Sequence, residues 1–151
     1  MKQFFLSLAL LAPLPAFGQD SVLDQWRSDP TQVFDAADVT LDDLIWEARP
    51  LIVFAQSPND PQFRQQLELL TDRIDELAER DVIVITDTDP DGESAIRLRL
   101  RPRAFMLVLI GKDGQIKLRK PAPWDVRELS RSIDKFPLRQ QEIRDRRVAA
   151  E

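Results

Sequence analysis

The sequence predicts an α/β domain in which a central mixed sheet of four strands is flanked by helices. Three short apolar runs, rich in branched residues, are typical of strands buried on both faces, and they occupy residues 51–55, 82–86 and 105–110. An amphipathic helical pattern separates the first two runs. A turn bounded by glycines joins the third run to a strand in which apolar and charged residues alternate. The 151 residues, 43% of them hydrophobic, suffice for one domain with a modest core.

The first strand and the loop after it are the centre of the predicted domain. Pro50 stands where a strand can begin without losing a needed hydrogen-bond donor. The loop that follows, residues 56–61, contains two prolines. Asp60 suits the N-cap of a helix and Pro61 its first position. We therefore expect a strand, a tight loop and a helix start in immediate succession.

A helix is predicted over residues 62–80. Its apolar residues recur at spacings of three and four, which places on one face Phe63, Leu67, Leu70, Ile74 and Leu77. Asp81 then leads into the second strand. Strand, helix and strand make a right-handed βαβ unit with two parallel strands.

The remaining elements follow in order. An acidic loop at residues 87–92 precedes a weak helix, and the third strand ends in a hairpin turn at residues 111–114. The alternating residues 115–119 predict an edge strand with one wet face. Residues 124–135 predict the last core helix. Before the first strand, Thr40 and Asp43 have the form of a capping box that opens a short helix.

The chain divides into four segments by composition. Residues 1–18 predict a secretory signal peptide, with a positive start, an apolar core and a small-x-small site that places cleavage between Gly18 and Gln19. The alternative is an uncleaved anchor or a buried helix. A polar lead-in covers residues 19–40, in which Trp26 and Phe34 are expected to anchor the segment, and the domain covers residues 41–136. A charged tail covers residues 137–151. We expect a bacterial protein, periplasmic or secreted, whose mature chain has no transmembrane segment.

Composition excludes the commonest catalytic designs. The sequence contains no cysteine, no histidine and no tyrosine. Thiol redox chemistry, thiolate metal sites and histidine-based acid–base catalysis are therefore impossible with its own side chains. The formal net charge of −5 argues against sequence-independent binding of nucleic acid. No cofactor is predicted.

The order of elements and several motifs resemble a known family. The runs RPLIVFA, ERDVIVI, RAFMLVLIGKDGQIK and IDKFPLRQQE look like the thioredoxin-like domain of unknown function called DUDES (DUF4174), over residues 41–142. Arg103 and the turn at residues 112–114 also look like the arginine-bearing strand and hairpin of peroxiredoxins. Residues 56–60 lack the cysteine of those enzymes. The resemblance implies a thioredoxin-like fold and says little about activity.

The predicted ligand site lies at the end of the first strand. Ligands bind outside the carboxyl ends of strands in open α/β sheets, and amides at a helix start favour anions. We therefore predict that Ser57, Asn59, Asp60 and Arg103 border one shallow polar pocket. The alternative is that Ser57 and Asp60 only cap the helix and that Arg103 pairs with a carboxylate of Asp60 or Glu93.

Two further clusters are weaker candidates. Asp87, Asp89 and Asp91 match the first half of a calcium loop, but Leu98 stands where the second half needs a bidentate glutamate. The alternative is a solvated acidic turn. The tail is locally basic through Arg139, Arg144, Arg146 and Arg147. A solvated helix with pairs three and four residues apart is favoured there over a membrane or partner patch.

The sequence therefore predicts a non-catalytic binding or interaction module. The expected partner is an unidentified protein or a small anionic ligand. The alternative is an enzyme, or an ion-dependent function, that uses carboxylates and Arg103 at the strand-end loop.

Overall fold

A computed structural model describes residues 20–151 and shows one mixed sheet flanked by helices. The strands in chain order are β1 (Val33–Asp35), β2 (Arg49–Phe54), β3 (Val82–Asp87), β4 (Met106–Ile110) and β5 (Ile116–Lys120). Their spatial order is β1-β3-β2-β4-β5. The first three strands are parallel, whereas β4 runs antiparallel to β2 and to β5. The predicted fold class is confirmed. The predicted signal peptide and its cleavage at Gly18 and Gln19 lie outside the described residues.

The sheet has five strands rather than the predicted four. The additional strand, β1, lies in the lead-in and pairs Val33 with Val84 and Phe34 with Ile85. Three residues are too few to show the alternation by which strands are recognised in a sequence. Phe34 is 5% exposed and Trp26 is 6% exposed, so both bury in the core as expected.

The helices are α1 (Val22–Ser28), α2 (Pro61–Asp72), α3 (Ile74–Ala78), α4 (Ala95–Leu100), α5 (Val126–Asp134) and α6 (Pro137–Ala149). The helix predicted over residues 62–80 is interrupted at Arg73, whose φ of −134° is not helical. Just before the break, the Thr71 hydroxyl donates to the carbonyl oxygens of Leu67 and Glu68, which weakens the helical ladder locally. Among residues 20–151, no helix combines the length and the apolar composition needed to span a bilayer.

The short helix predicted after Thr40 is only a 3-10 turn, Leu41–Leu44. The Thr40 side chain makes no capping hydrogen bond there, so the capping box does not form. Leu44 is nevertheless buried against the sheet.

Two apolar layers cover the two faces of the sheet. One face packs against α2, α3 and α5, which contribute Phe63, Leu70, Leu77, Leu129 and Ile133. The other packs against α1, the 3-10 turn and α4, which contribute Trp26, Leu44, Ile96 and Leu100. Strands β2 and β3 supply residues to both layers, which explains why they are almost continuously apolar. The carboxyl ends of these strands, where the loop after β2 begins, carry the candidate site.

Candidate functional site

The loop after β2 is stabilised by its own side chains. The Ser57 hydroxyl accepts a hydrogen bond from the Asn59 amide at 3.1 Å, and the Asp60 carboxylate caps α2 by accepting from the Gln62 amide at 2.8 Å. The Asn59 side-chain oxygen accepts from the Arg64 guanidinium at 2.8 Å. All three predicted loop residues therefore have local structural partners. Asp60 caps the helix as the alternative had it, whereas Ser57 bonds within the loop and does not cap α2.

Arg103 lies beside this loop. The Gln56 side-chain amide donates to the Arg103 carbonyl oxygen at 3.1 Å, and Phe54 at the end of β2 pairs with Met106 at the start of β4. The two predicted segments therefore meet at one end of the sheet. We call this region, residues 56–60 and 101–103, the strand-end surface. Whether its side chains border a single pocket stays a prediction.

The Arg103 guanidinium is exposed and carries an uncompensated charge. Within residues 20–151, it has no carboxylate oxygen within 4.0 Å and makes no side-chain hydrogen bond. The alternative pairing with Asp60 or Glu93 is thus not formed. The Asp60 carboxylate caps α2 instead.

Behind the strand-end surface lies a buried ion pair that the sequence did not reveal. Arg97 in α4 approaches Asp87, the last residue of β3, with Nη2 2.8 Å and Nε 3.1 Å from Oδ1. The same Nη2 donates to the carbonyl oxygens of Ala55 and Asp87, each at 3.0 Å. The guanidinium also lies 5.4 Å from the centre of the Phe54 ring. Arg97 therefore joins the carboxyl ends of β2 and β3.

The Asp87 carboxylate is ionised in this setting. Burial alone would raise its pKa, but hydrogen bonds from Arg97 and from the Ser94 hydroxyl outweigh burial and hold the pKa below its ordinary value. Asp87 also accepts from the Asp89 amide at 3.2 Å. Its oxygens are thereby engaged by protein donors, in a pair that carries no net charge.

The acidic loop has no arrangement typical of a calcium site. Asp87 is 4% exposed and directed towards Arg97, whereas Asp89 precedes the next 3-10 turn, Pro90–Gly92, and Asp91 lies within it. In the part of the chain that the structure describes, no group of three or more acidic side chains is placed to hold a metal ion. The half motif therefore acts here as the connection between β3 and α4.

A second ionic cluster lies at the opposite end of the sheet. Arg49 at the start of β2 is 1% exposed, and its guanidinium bonds the Glu142 carboxylate at 3.0 Å and the Arg80 carbonyl oxygen at 2.8 Å. Lys112 lies 2.9 Å from the same carboxylate and 2.8 Å from Asp81. Burial raises the pKa of Glu142, but Arg49 and Lys112 more than offset it and lower the pKa to about 2.

This second cluster corrects the prediction for the tail at Arg139 alone, because pairs three and four residues apart form as predicted. Arg139 is 6% exposed and bonds Glu142 at 3.3 Å, so this tail arginine is structural rather than solvated. Arg146 lies 3.9 Å from Asp81, and Arg144 donates to the Gln141 side chain at 2.6 Å. Arg147 is exposed. Helix α6 is therefore attached to the domain through charged contacts.

The unpaired cations near the strand-end surface belong to a pattern that is visible in the sequence. Arginines stand at every second position from Arg97 to Arg103, with no acidic residue among them. Two of them form ion pairs, Arg97 with Asp87 and Arg99 with Asp42. The other two, Arg101 and Arg103, are exposed.

Solved structures with a similar fold are peroxiredoxins. The reduced 2-Cys peroxiredoxin of Plasmodium vivax superposes with a TM-score of 0.56 at 15% identity, over 68% of this chain and 85% of that one. A yeast mitochondrial 1-Cys peroxiredoxin superposes with a TM-score of 0.50 at 20% identity, over 70% of this chain and 97% of that one. At these identities the likeness establishes the fold alone. No curated protein matches the sequence significantly.

The sequence itself matches one family. The match to "Domain of unknown function (DUF4174)" extends over residues 40–142, which includes β2 to β5 and most of the helices that cover them. It confirms the resemblance found in the strand and hairpin motifs. The chain, a thioredoxin-like domain without cysteine, thus belongs to the DUF4174 family.

Proposed function

We propose that this protein is a non-catalytic binding module of the bacterial periplasm or exterior. It holds an anionic group, from a small ligand or a partner protein, at the strand-end surface. One observation carries the proposal: Arg103 is anchored by its own carbonyl oxygen to Gln56 but has no carboxylate partner within residues 20–151. An exposed arginine of this kind offers a fork of donors that matches carboxylates and phosphates.

The groups around Arg103 support binding rather than catalysis. Ser57 and Asp60 are committed to hydrogen bonds within the loop and the start of α2, so neither is paired with a base or an acid. The negative charge of Asp87 is balanced by its ion pair with Arg97. Within the described residues, nothing favours the alternative of an enzyme or ion-dependent function based on carboxylates and Arg103.

The proposed location depends on the leader. Residues 1–18 have the charge, apolar core and cleavage pattern of a signal peptide. A protein with no cysteine is compatible with an oxidising compartment. Together these features support export of a mature chain that begins at Gln19.

The test is a binding titration with a short oligoglutamate peptide carrying a fluorophore, followed by anisotropy. We expect Arg103→Ala to weaken binding about tenfold, because one charge-assisted hydrogen bond contributes about 1.5–3 kcal/mol. Arg147→Ala is the matched control, because it removes the same charge from an exposed position in α6. Equal losses of affinity in the two variants would show that the peptide is bound by non-specific electrostatic attraction, which would contradict the proposal.

A further inference from the structure

Strand β5 leaves one of its sides without a neighbouring strand. It is the last strand of the order β1-β3-β2-β4-β5, and it pairs only with β4 among residues 20–151. Backbone amides and carbonyl groups on such a side are a template for a further strand. Ile116, 45% exposed, is one of the few large apolar side chains that the described surface presents to solvent.

The segment that contains this side is strongly basic. Residues 95–120 carry eight basic side chains and one acidic side chain, Asp113, in a chain whose formal net charge is −5. Four of the eight cations have carboxylate partners, namely Arg97, Arg99, Lys112 and Lys117. The other four have none within 4.0 Å among the described residues: Arg101, Arg103, Arg119 and Lys120.

The pairing of β5 with β4 brings the unpaired cations of both segments to one end of the strand. Lys120 lies opposite Leu107 and Arg119 opposite Val108, close to the start of β4, and Arg103 precedes that start by three residues. Arg119 is held by a bond of 2.9 Å from its guanidinium to the Leu100 carbonyl oxygen. Lys120 lies 4.4 Å above the Trp124 ring. Two of the four charges are therefore positioned by structure.

This distribution fits an extended chain better than a single small anion. Strand β5 has five residues and is about 17 Å long. The unpaired cations lie at one end of that length, and one phosphate or carboxylate carries too little negative charge to balance all four of them. An extended acidic peptide presents several carboxylates, one at every second residue on each face, while its backbone pairs with the rest of β5.

A second copy of this chain is a poorer occupant. Two β5 strands would oppose basic residues to basic residues, and like charges in facing positions are destabilising. The other edge strand, β1, contains an acidic residue, Asp35, but has only three residues to offer.

We infer that β5 accepts an extended acidic peptide of a partner protein as an added strand, with its carboxylates on Arg119, Lys120 and the neighbouring Arg101 and Arg103. The inference deepens the proposed function and rests on it. Main-chain hydrogen bonds to β5 supply the part of the binding free energy that does not depend on the peptide's sequence. The cations select for acidic sequences. Basic residues on an edge strand also disfavour pairing with neutral strands.

The test compares three fluorescein-labelled peptides of alternating glutamate and threonine, each about as long as β5. One is unmodified, and each of the other two carries N-methyl groups at one of the two sets of alternate amides. Methylation keeps every charge, and alternate amides of an added strand face β5 or solvent, so only one of the two registers blocks the donors that strand pairing needs. With the purified protein, we expect anisotropy to show binding of the unmodified peptide, similar binding in one methylated register and an affinity at least about tenfold lower in the other.

The outcomes separate the two proposals. Equal affinities of the two methylated peptides, with the unmodified peptide still bound, would overturn strand addition and leave the anion-binding surface intact. Absence of binding by all peptides would overturn both. Self-association of the protein that competes with the peptide would assign β5 to a second copy and overturn the inference. Arg119→Ala should also weaken peptide binding. Because this substitution removes a hydrogen bond to the Leu100 carbonyl oxygen, it also alters the protein itself, whereas the methylated peptides leave the protein unchanged.

Discussion

Arg97 and Asp87 form a buried ion pair at the carboxyl end of β3, with the arginine Nη2 2.8 Å from the carboxylate Oδ1. The same guanidinium reaches the Ala55 carbonyl oxygen at 3.0 Å, where β2 gives way to the loop of the strand-end surface. The pair therefore fixes the position at which that loop begins.

Replacing Arg97 by Leu is expected to destabilise the fold. The substitution leaves the Asp87 carboxylate buried without its cation, and breaking a buried pair in this way costs about 3–5 kcal/mol. Urea denaturation measures the loss. Arg99→Leu is a matched control, because Arg99 pairs with Asp42 at an exposed position and should cost less than about 1 kcal/mol. Similar losses in the free energy of unfolding for the two variants would show that the buried pair contributes no more to stability than the exposed pair.

Glu142 is expected to make stability depend on acid pH. Its folded pKa of about 2 lies below the ordinary value of 4.5. A depressed carboxyl pKa contributes stability that is fully present above the unfolded pKa and is lost as pH falls from about 4.5 towards about 2. Glu142→Gln should lower the free energy of unfolding at pH 7 by about 1.5–3 kcal/mol and flatten the acid dependence in that window.

Denaturation at neutral pH and near pH 3 tests this expectation. The control is Glu128→Gln, which alters an exposed pair with Arg131. If Glu142→Gln loses as much stability on acidification as the unchanged protein, the buried cluster is not the source of the acid sensitivity.

The acidic loop is expected to respond little to calcium. The Asp87 carboxylate already accepts hydrogen bonds from Arg97 and Ser94. Among the described residues, Asp89 and Asp91 therefore have no third carboxylate beside them to complete a calcium site. Thermal melts with and without millimolar calcium should differ by less than about 2 °C. A larger stabilisation that Asp89→Ala abolishes would establish a site and refute this expectation.

Export is expected to remove the leader. The pattern of residues 1–18 places cleavage after Gly18, so the mature chain should begin at Gln19. Intact-mass measurement of protein from the periplasmic fraction of a bacterial host tests the position. Recovery of the full-length chain from the cytoplasm would contradict both the cleavage and the proposed location.

The sequence was sufficient for the sheet and its covering helices because buried parallel strands and amphipathic helices have strong periodic signals. It was insufficient for β1, whose three residues show no period, and for the interruption of the long helix at Arg73. Both features depend on tertiary packing and local competition for hydrogen bonds.

The meeting of the Ser57 loop and the Arg103 segment was predictable, but the partners of their neighbouring side chains were not. The alternation of arginines was visible, but which of them finds a carboxylate is decided by non-local contacts, such as that between Arg97 and Asp87. The same holds for Arg49 and Glu142, which are 93 residues apart in the sequence. Placement of Arg103 near the Ser57 loop followed from topology alone, because the end of β2 meets the start of β4.

The most direct test of the proposed binding surface is an NMR titration of the isotope-labelled protein with the oligoglutamate peptide. We expect saturable amide shifts at residues 56–60, 101–103 and 116–120, with a midpoint that is about tenfold higher in Arg103→Ala. Shifts confined to the basic end of α6, around residues 144–147, or an unchanged midpoint in Arg103→Ala, would contradict the proposed surface.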